Sequence, residues 1–274
     1  MTTDGHTVPR TGNGFIDVTH AALMERVGII RRQCASGAPQ TVVIPHFNAF
    51  MDEMRAHFDH EEVIIRAAGF PKWAEHAHHH AQLDEQIGRL VDYVRECEVT
   101  NDFLCTVAGT LDAALCRHEI RHDSEYMALV RDASVPRGGQ TLIRWEPGFD
   151  VGIGPLDAQH RQLVECLNEA HRLCAAGGSD TEVLDLLELM QDHVHAHFAM
   201  EEGVLRRVCL SRFVAHRAHH QELAAQFARI RQEIGAGRLD PGVAIRDFLR
   251  FWLMDHLLGP DREAFTAAGE GRPQ

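Results

Sequence analysis

A set of histidines and acids recurs at a fixed interval along the chain, and this recurrence restricts the fold more than any other feature. His57-Phe58-x-x-Glu61-Glu62 returns as His197-Phe198-x-x-Glu201-Glu202, an offset of 140 (197 − 57). The same offset relates Asp17-x-x-His20 to Asp157-x-x-His160, and His76-x-x-x-His80 to His216-x-x-x-His220. His118-x4-Asp123 and His256-x4-Asp261 are offset by 138 (256 − 118), so a small length change precedes the last element. Between the copies, Asp132 to Gln140 is rich in Gly, Pro and polar residues and suits a linker. The expected domains are therefore 1–137 and 138–274.

Each copy reads as four helices. In the second, Leu156, His160, Leu163 and Leu167 recur at spacings of three and four, as do Val194, His197, Glu201 and Val204. Phe213, His216, His220 and Leu223 form a third stripe, and Leu249, Trp252 and His256 a fourth. The first copy repeats the pattern with Ile16, His20, Leu23 and Val27, then with Met54, His57, Glu61 and Ile64. Such spacing is the seam by which one helix packs on others. Turn signals at Gly37, Gly69 to Pro71, Asn101, Gly177 to Ser179, Gly235 and Pro241 separate the helices. The fold expected is all-α, with two up-down four-helix bundles in tandem.

Composition excludes several classes of function. A formal charge of −13 with no basic stripe argues against nucleic acid, because neutralising phosphates needs clustered Lys and Arg. The most apolar stretch, Phe248 to Leu258, is interrupted by Arg250, Asp255 and His256, so no membrane span is expected. No secretory signal is evident at the start, and seven cysteines without a CxxC pair fit buried thiols. A cytoplasmic location is expected on those grounds.

Twenty histidines demand a reason, and their positions supply one. In each copy, five histidines, one Glu and one Asp lie on or beside the inward seams. Burying that many polar groups unpaired would exceed a domain's stability, typically about 5–15 kcal/mol. Metal ions remove the difficulty by taking up the lone pairs and offsetting the carboxylate charge. His197 and Glu201 sit one turn apart, as do His216 and His220, so each pair shares a face. His256 and Asp261 would be splayed by roughly 140° on a regular helix. A local widening such as a π-bulge, with Pro260 beside it, is expected to bring them together. Two octahedral ions have twelve ligand positions. Five imidazoles, two bridging carboxylates and one shared oxide or hydroxide fill all but one. This donor set without thiolate suits iron or manganese and leaves the choice between them open.

These residues resemble the hemerythrin signature, and the region from Trp145-Glu-Pro-Gly-Phe is similar to bacteriohemerythrins. The resemblance implies two di-iron centres, four irons per chain, each with an oxo or hydroxo bridge. It assigns His216, His220 and His256 to the saturated iron, His160 and His197 to the open one, and Glu201 and Asp261 to the bridges. In the first copy those roles fall to His76, His80 and His118, to His20 and His57, and to Glu61 and Asp123. It also implies reversible binding of O2 as a hydroperoxide at the open iron, for carriage, storage or delivery. The expected ligand pocket comprises Leu163, Phe198, Trp252, Leu253 and Leu257 in the second copy. In the first it comprises Leu23, Phe58, Leu115 and Glu119, with Ala114 where the second has Trp252.

Glu119 has three readings: a solvated surface residue, a proton source for bound peroxide, or an occupant of the open position. His60, His78, His79, His122, His193, His195 and His219 fall off the seams and are expected to be mostly solvated. Alternatives to oxygen binding are an oxygen or redox sensor acting through a separate partner, and an enzyme reducing peroxide or nitric oxide. The enzyme reading bears especially on the first site; otherwise no enzymatic activity is expected. No particular protein partner is indicated, and a monomer with its bundles packed together is expected.

Overall fold

Four long helices carry the first repeat: α1 (Gly14–Ala35), α2 (Gln40–Ala67), α3 (Trp73–Glu96) and α4 (Asn101–Arg121). A 3-10 turn (Asp123–Glu125) and a short helix α5 (Met127–Ser134) follow. The second repeat has α6 (Gly154–Ala175), α7 (Asp180–Val208) and α8 (Leu210–Gly235). Its fourth rod is assembled from α9 (Pro241–Ala244), a π-helical turn (Ile245–Leu249), α10 (Arg250–Leu258) and α11 (Pro260–Gly269). This computed structural model describes residues 2–3, 6–7, 10–134, 141–208 and 210–269. Among them, strands are limited to the two-residue pair β1 (Thr2–Thr3) and β2 (His6–Thr7). The chain divides into two units, Met1–Val135 and Pro136–Gln274. Residues 135–140, with the boundary expected near 138, lie outside the described residues, whereas Asp132 to Ser134 belong to α5 rather than to a linker.

Within the first unit α1 packs on α2 and α4, and α3 on α2 and α4, closing an up-down bundle. Phe47, Phe50, Met54, Val91 and Leu111 are fully buried between the helices. In the second unit Phe227, Phe248, Phe251 and Trp252 do the same work.

Two local devices set where the polar seam points. Thr11 donates from its N–H and its hydroxyl to Asp17 Oδ1, both at 2.8 Å, and Asn13 caps the helix. Val151 N–H donates to Asp157 Oδ1 at 2.7 Å in the second unit. The aspartate of the Asp-x-x-His motif thus fastens the arm before the helix, and His20 or His160 follows one turn later, facing inward. Gly37 and Gly177, at φ 71° and 77°, end α1 and α6 at equivalent positions, where a side chain would be strained. Gly235 is the last residue of α8, and the left-handed turn lies at Gly237 instead (φ 68°).

The expected π-bulge between His256 and Asp261 is not there. The π turn lies earlier, at Ile245–Leu249, and the chain breaks at Gly259 (φ −102°, ψ −95°) before restarting at Pro260. In the first unit α4 ends at Arg121 and Asp123 opens the 3-10 turn. Ending the helix, rather than widening it, brings each aspartate back to the seam. Replacing fully buried Phe50 with Ala is expected to cost the first unit about 3–5 kcal/mol, read as a lower urea midpoint by circular dichroism.

Candidate metal centre

All four helices of each unit contribute to one buried cluster. In the first, α1 supplies His20, α2 His57 and Glu61, α3 His76 and His80, α4 His118, and the turn after it Asp123. None of these side chains is more than 6% exposed. Glu61 places Oε2 2.9 Å from His57 Nε2 and Oε1 2.9 Å from His76 Nε2. Asp123 Oδ1 lies 3.2 Å from His118 Nε2, and its Oδ2 3.5 Å from His20 Nε2. His80 Nε2 and His118 Nε2 approach to 3.0 Å.

The second cluster divides more cleanly. Asp261 turns Oδ1 to His216 and His256, at 3.4 and 3.3 Å, and Oδ2 to His160 at 3.4 Å. Glu201 Oε2 lies 3.1 Å from His216 Nε2 and 3.2 Å from His220 Nε2, while Oε1 faces His160 at 3.6 Å. Two groups able to hold a metal result, one with His160 and His197 and one with His216 and His220, and both share Glu201 and Asp261. In the first unit the two groups, His20 with His57 and His76 with His80 and His118, share Glu61. Every side chain expected at a centre is thus brought together.

The cluster mixes paired and unpartnered groups: against the cost of burial, the Asp261 and Glu201 carboxylates push His216 up to about 9. Nε2 of His160, His197, His220 and His256, both oxygens of Asp261 and Oε1 of Glu201 are buried with no hydrogen-bond partner. The same holds for His20 Nε2, Glu61 Oε2 and both oxygens of Asp123. Burial pushes His20 and His197 down to about 4 and His80 to about 3, so their imidazoles are neutral and keep a lone pair. Burial and then the charge of Glu201 push Asp261 up to about 8. Burial also opposes ionisation of Glu61 and Glu201, but the surrounding histidines outweigh it and hold both well below the usual carboxylate range. A cation between the carboxylates would relieve their repulsion and accept the free lone pairs.

Not anticipated from the sequence is the work of the second glutamate in His-Phe-x-x-Glu-Glu. Glu62 lies 2.8 Å from His80 Nδ1 and Glu202 3.3 Å from His220 Nδ1, fixing the tautomer that leaves Nε2 for a metal. Its recurrence in both copies was the available signal. Thr19 Oγ1 lies 2.9 Å from His57 Nδ1 and donates its own hydroxyl hydrogen to α1 carbonyls, again freeing Nε2. Phe58 and Phe198 stack on His80 and His220, with centroids 3.9 Å apart in each pair. Tyr126 is fully buried 5.4 Å from His76, its hydroxyl without a hydrogen-bond partner. Nothing in the repeat marked it, since Ala264 stands at the same offset in the second unit.

The expected pocket residues Leu23, Phe58, Leu115, Leu163, Phe198, Trp252, Leu253 and Leu257 are all buried. Glu119 is buried as well, at 2% exposure, with neither carboxylate oxygen hydrogen-bonded, so its reading as a solvated surface residue is wrong. Burial, then the charges of Asp123 and Glu61, push it up to about 8. His60 also departs from expectation: it is buried, edge-on to Phe15 at 5.3 Å. His78 and His195 are exposed, and His79, His122, His193 and His219 are partly buried.

Comparison with known proteins agrees with this geometry. The family model for the hemerythrin HHE cation binding domain matches residues 11–130 and again 151–268. The chain is 29% identical to a bacteriohemerythrin of Methylococcus capsulatus over 122 residues, 44% of this chain and 92% of the relative. It is 28% identical to one of Stenotrophomonas maltophilia (44% and 78% covered) and 24% to one of Clostridium acetobutylicum (44% and 98%). No solved structure gives a significant match. Among the described residues no helix is long and apolar enough to cross a membrane. With one match on each repeat, each over a bundle that gathers histidines and carboxylates at its core, the chain belongs to the hemerythrin HHE cation-binding family.

Proposed function

We propose that the chain is a non-haem di-iron protein that binds O2 reversibly. The observation that supports this most is the set of buried, unpartnered Nε2 and carboxylate atoms, two metal-sized groups sharing Glu201 and Asp261. The donor set fits iron: imidazole nitrogen and carboxylate oxygen, with no thiolate among them. His216, His220 and His256 would hold one ion, His160 and His197 the other, and Glu201 and Asp261 would bridge. His76, His80, His118, His20, His57, Glu61 and Asp123 would do so in the first unit. When bound, a reduced iron pair supplies two electrons to O2.

The protein's own part is orientation and exclusion of water. Glu62, Glu202 and Thr19 hold the imidazoles by their outer nitrogens. Trp252, Leu253 and Leu257, at most 1% exposed and flanking His256 on α10, would wall the second centre with apolar surface. That wall would keep bulk water and protons from the reacting oxygen, which reversible binding requires. The bacteriohemerythrin relatives lend their name to this reading.

Three outcomes test it. Iron-loaded, anaerobically reduced protein is expected to gain a visible absorption band on adding O2 and to lose it on purging with argon. Immediate, irreversible oxidation would count against oxygen binding and in favour of sensing or peroxide reduction. Glu202→Ala is expected to weaken iron retention at the second centre about 10- to 100-fold, followed by chelator challenge.

The third concerns the metal-free chain. His20 and His197 stay neutral in the fold down to about 4 but take up protons near 6.5 once unfolded. Their contribution to stability is therefore present above about 6.5 and lost as pH falls toward 4. Thermal melts of chelator-treated protein should show a midpoint falling across that interval. Iron-loaded protein should hold its midpoint to lower pH, because a bound metal blocks the protonation site.

A further inference from the structure

We propose that Glu119 is an additional metal ligand of the first centre, filling the position that the second centre offers to an exogenous molecule. The inference rests on the di-iron reading above. Glu119 directly follows His118 on α4 and is 2% exposed, and neither of its oxygens has a hydrogen-bond partner. The charges that act on it most strongly are Asp123, then Glu61, then Asp112, all carboxylates. A buried carboxyl group with no hydrogen-bond partner is costly in either protonation state. A metal ion beside Asp123 and Glu61 would supply what it lacks.

The second unit shows the alternative at the same place. His118 corresponds to His256, so Glu119 corresponds to Leu257, an apolar side chain that is 1% exposed and offers no donor. Ala114 likewise stands where the second unit has fully buried Trp252. The exchange of indole for methyl leaves a smaller side chain one turn before His118. Both differences flank the same ligand histidine on α4.

Ligand arithmetic closes on this assignment. Five imidazoles, two bridging carboxylates and one shared oxygen leave one of twelve octahedral positions, and the Glu119 carboxylate fills it. The first centre is then saturated by its own protein, and the chain has one exchangeable centre rather than two.

Azide, a small anion that binds oxidised iron only where a position can exchange, distinguishes the two cases. Full-length chain is loaded with iron and oxidised, and its iron content is measured. Bound azide is then counted by equilibrium dialysis and followed by the azide-to-iron absorption band. The wild-type chain is expected to bind one azide per four irons. Glu119→Leu, which installs the residue the second unit uses, is expected to bind two, and Leu257→Glu none. Glu119→Gln, close in shape but uncharged, gives two as well and guards against a misfolded leucine variant. Two azides on the wild-type chain, or no gain in either Glu119 variant, would overturn the assignment. A chain that takes up no iron would overturn the di-iron reading itself, and the assignment with it.

Discussion

The arrangement of this protein is governed by the cost of gathering charge and lone pairs where water cannot reach. Each bundle brings five imidazoles and two carboxylates to its axis, with separations near 3 to 4 Å between them. Apolar burial alone would never select such a core, because each unpaired polar atom subtracts from the stability that Phe47 or Phe248 adds. The apolar layers and the polar layer are therefore interdependent. Packing forces the imidazoles into a dry space, and burial there pushes His20, His80, His197 and His256 below the usual imidazole range. Residues outside the cluster complete the arrangement. Asp17 and Asp157 set the entry of the first helix, and Glu62 and Glu202 hold the far side of the imidazoles.

Much of this was legible because polar residues on an apolar seam are conspicuous. His57 and Glu61 fall in phase with Met54 and Ile64, so their inward direction follows from helical spacing alone. Glu119 is legible as a pocket candidate, but its burial stays open in the sequence for the complementary reason. It stands next to His118, and adjacent helical residues point about 100° apart, so one inward neighbour argues for an outward one. Here the buried stripe is wide enough to take both, as it does at His57 with Phe58 and at Leu115 with Cys116. The geometry at Asp261 is hidden from the sequence for a different reason. Spacing alone cannot tell a widened helix from one that stops at Gly259 and starts again at Pro260.

The two copies share a scaffold but differ beside the ligand histidine of the last helix. Trp252 and Leu257 are buried there in the second unit, where the first has Ala114 and Glu119. Tyr126, with no counterpart at the same offset, adds a second buried oxygen near the first centre alone. The two copies keep the histidines and carboxylates gathered at the centre and differ in residues beside them. This is the pattern expected when the ligand set is fixed by the ion and the lining by the molecule that meets it.

The position of Asp123 and Asp261 beyond the end of the fourth helix has a consequence for how the chain is made. Each bundle's first histidine, His20 or His160, must wait about a hundred residues for the aspartate that faces it (123 − 20 and 261 − 160). During synthesis, α1 to α3 emerge with their imidazoles turned toward one another while the last acidic residue is still to come. Each centre is complete only once its own final segment has left the ribosome. The first can be finished while the second is untranslated, because every residue gathered around it lies within Met1–Val135.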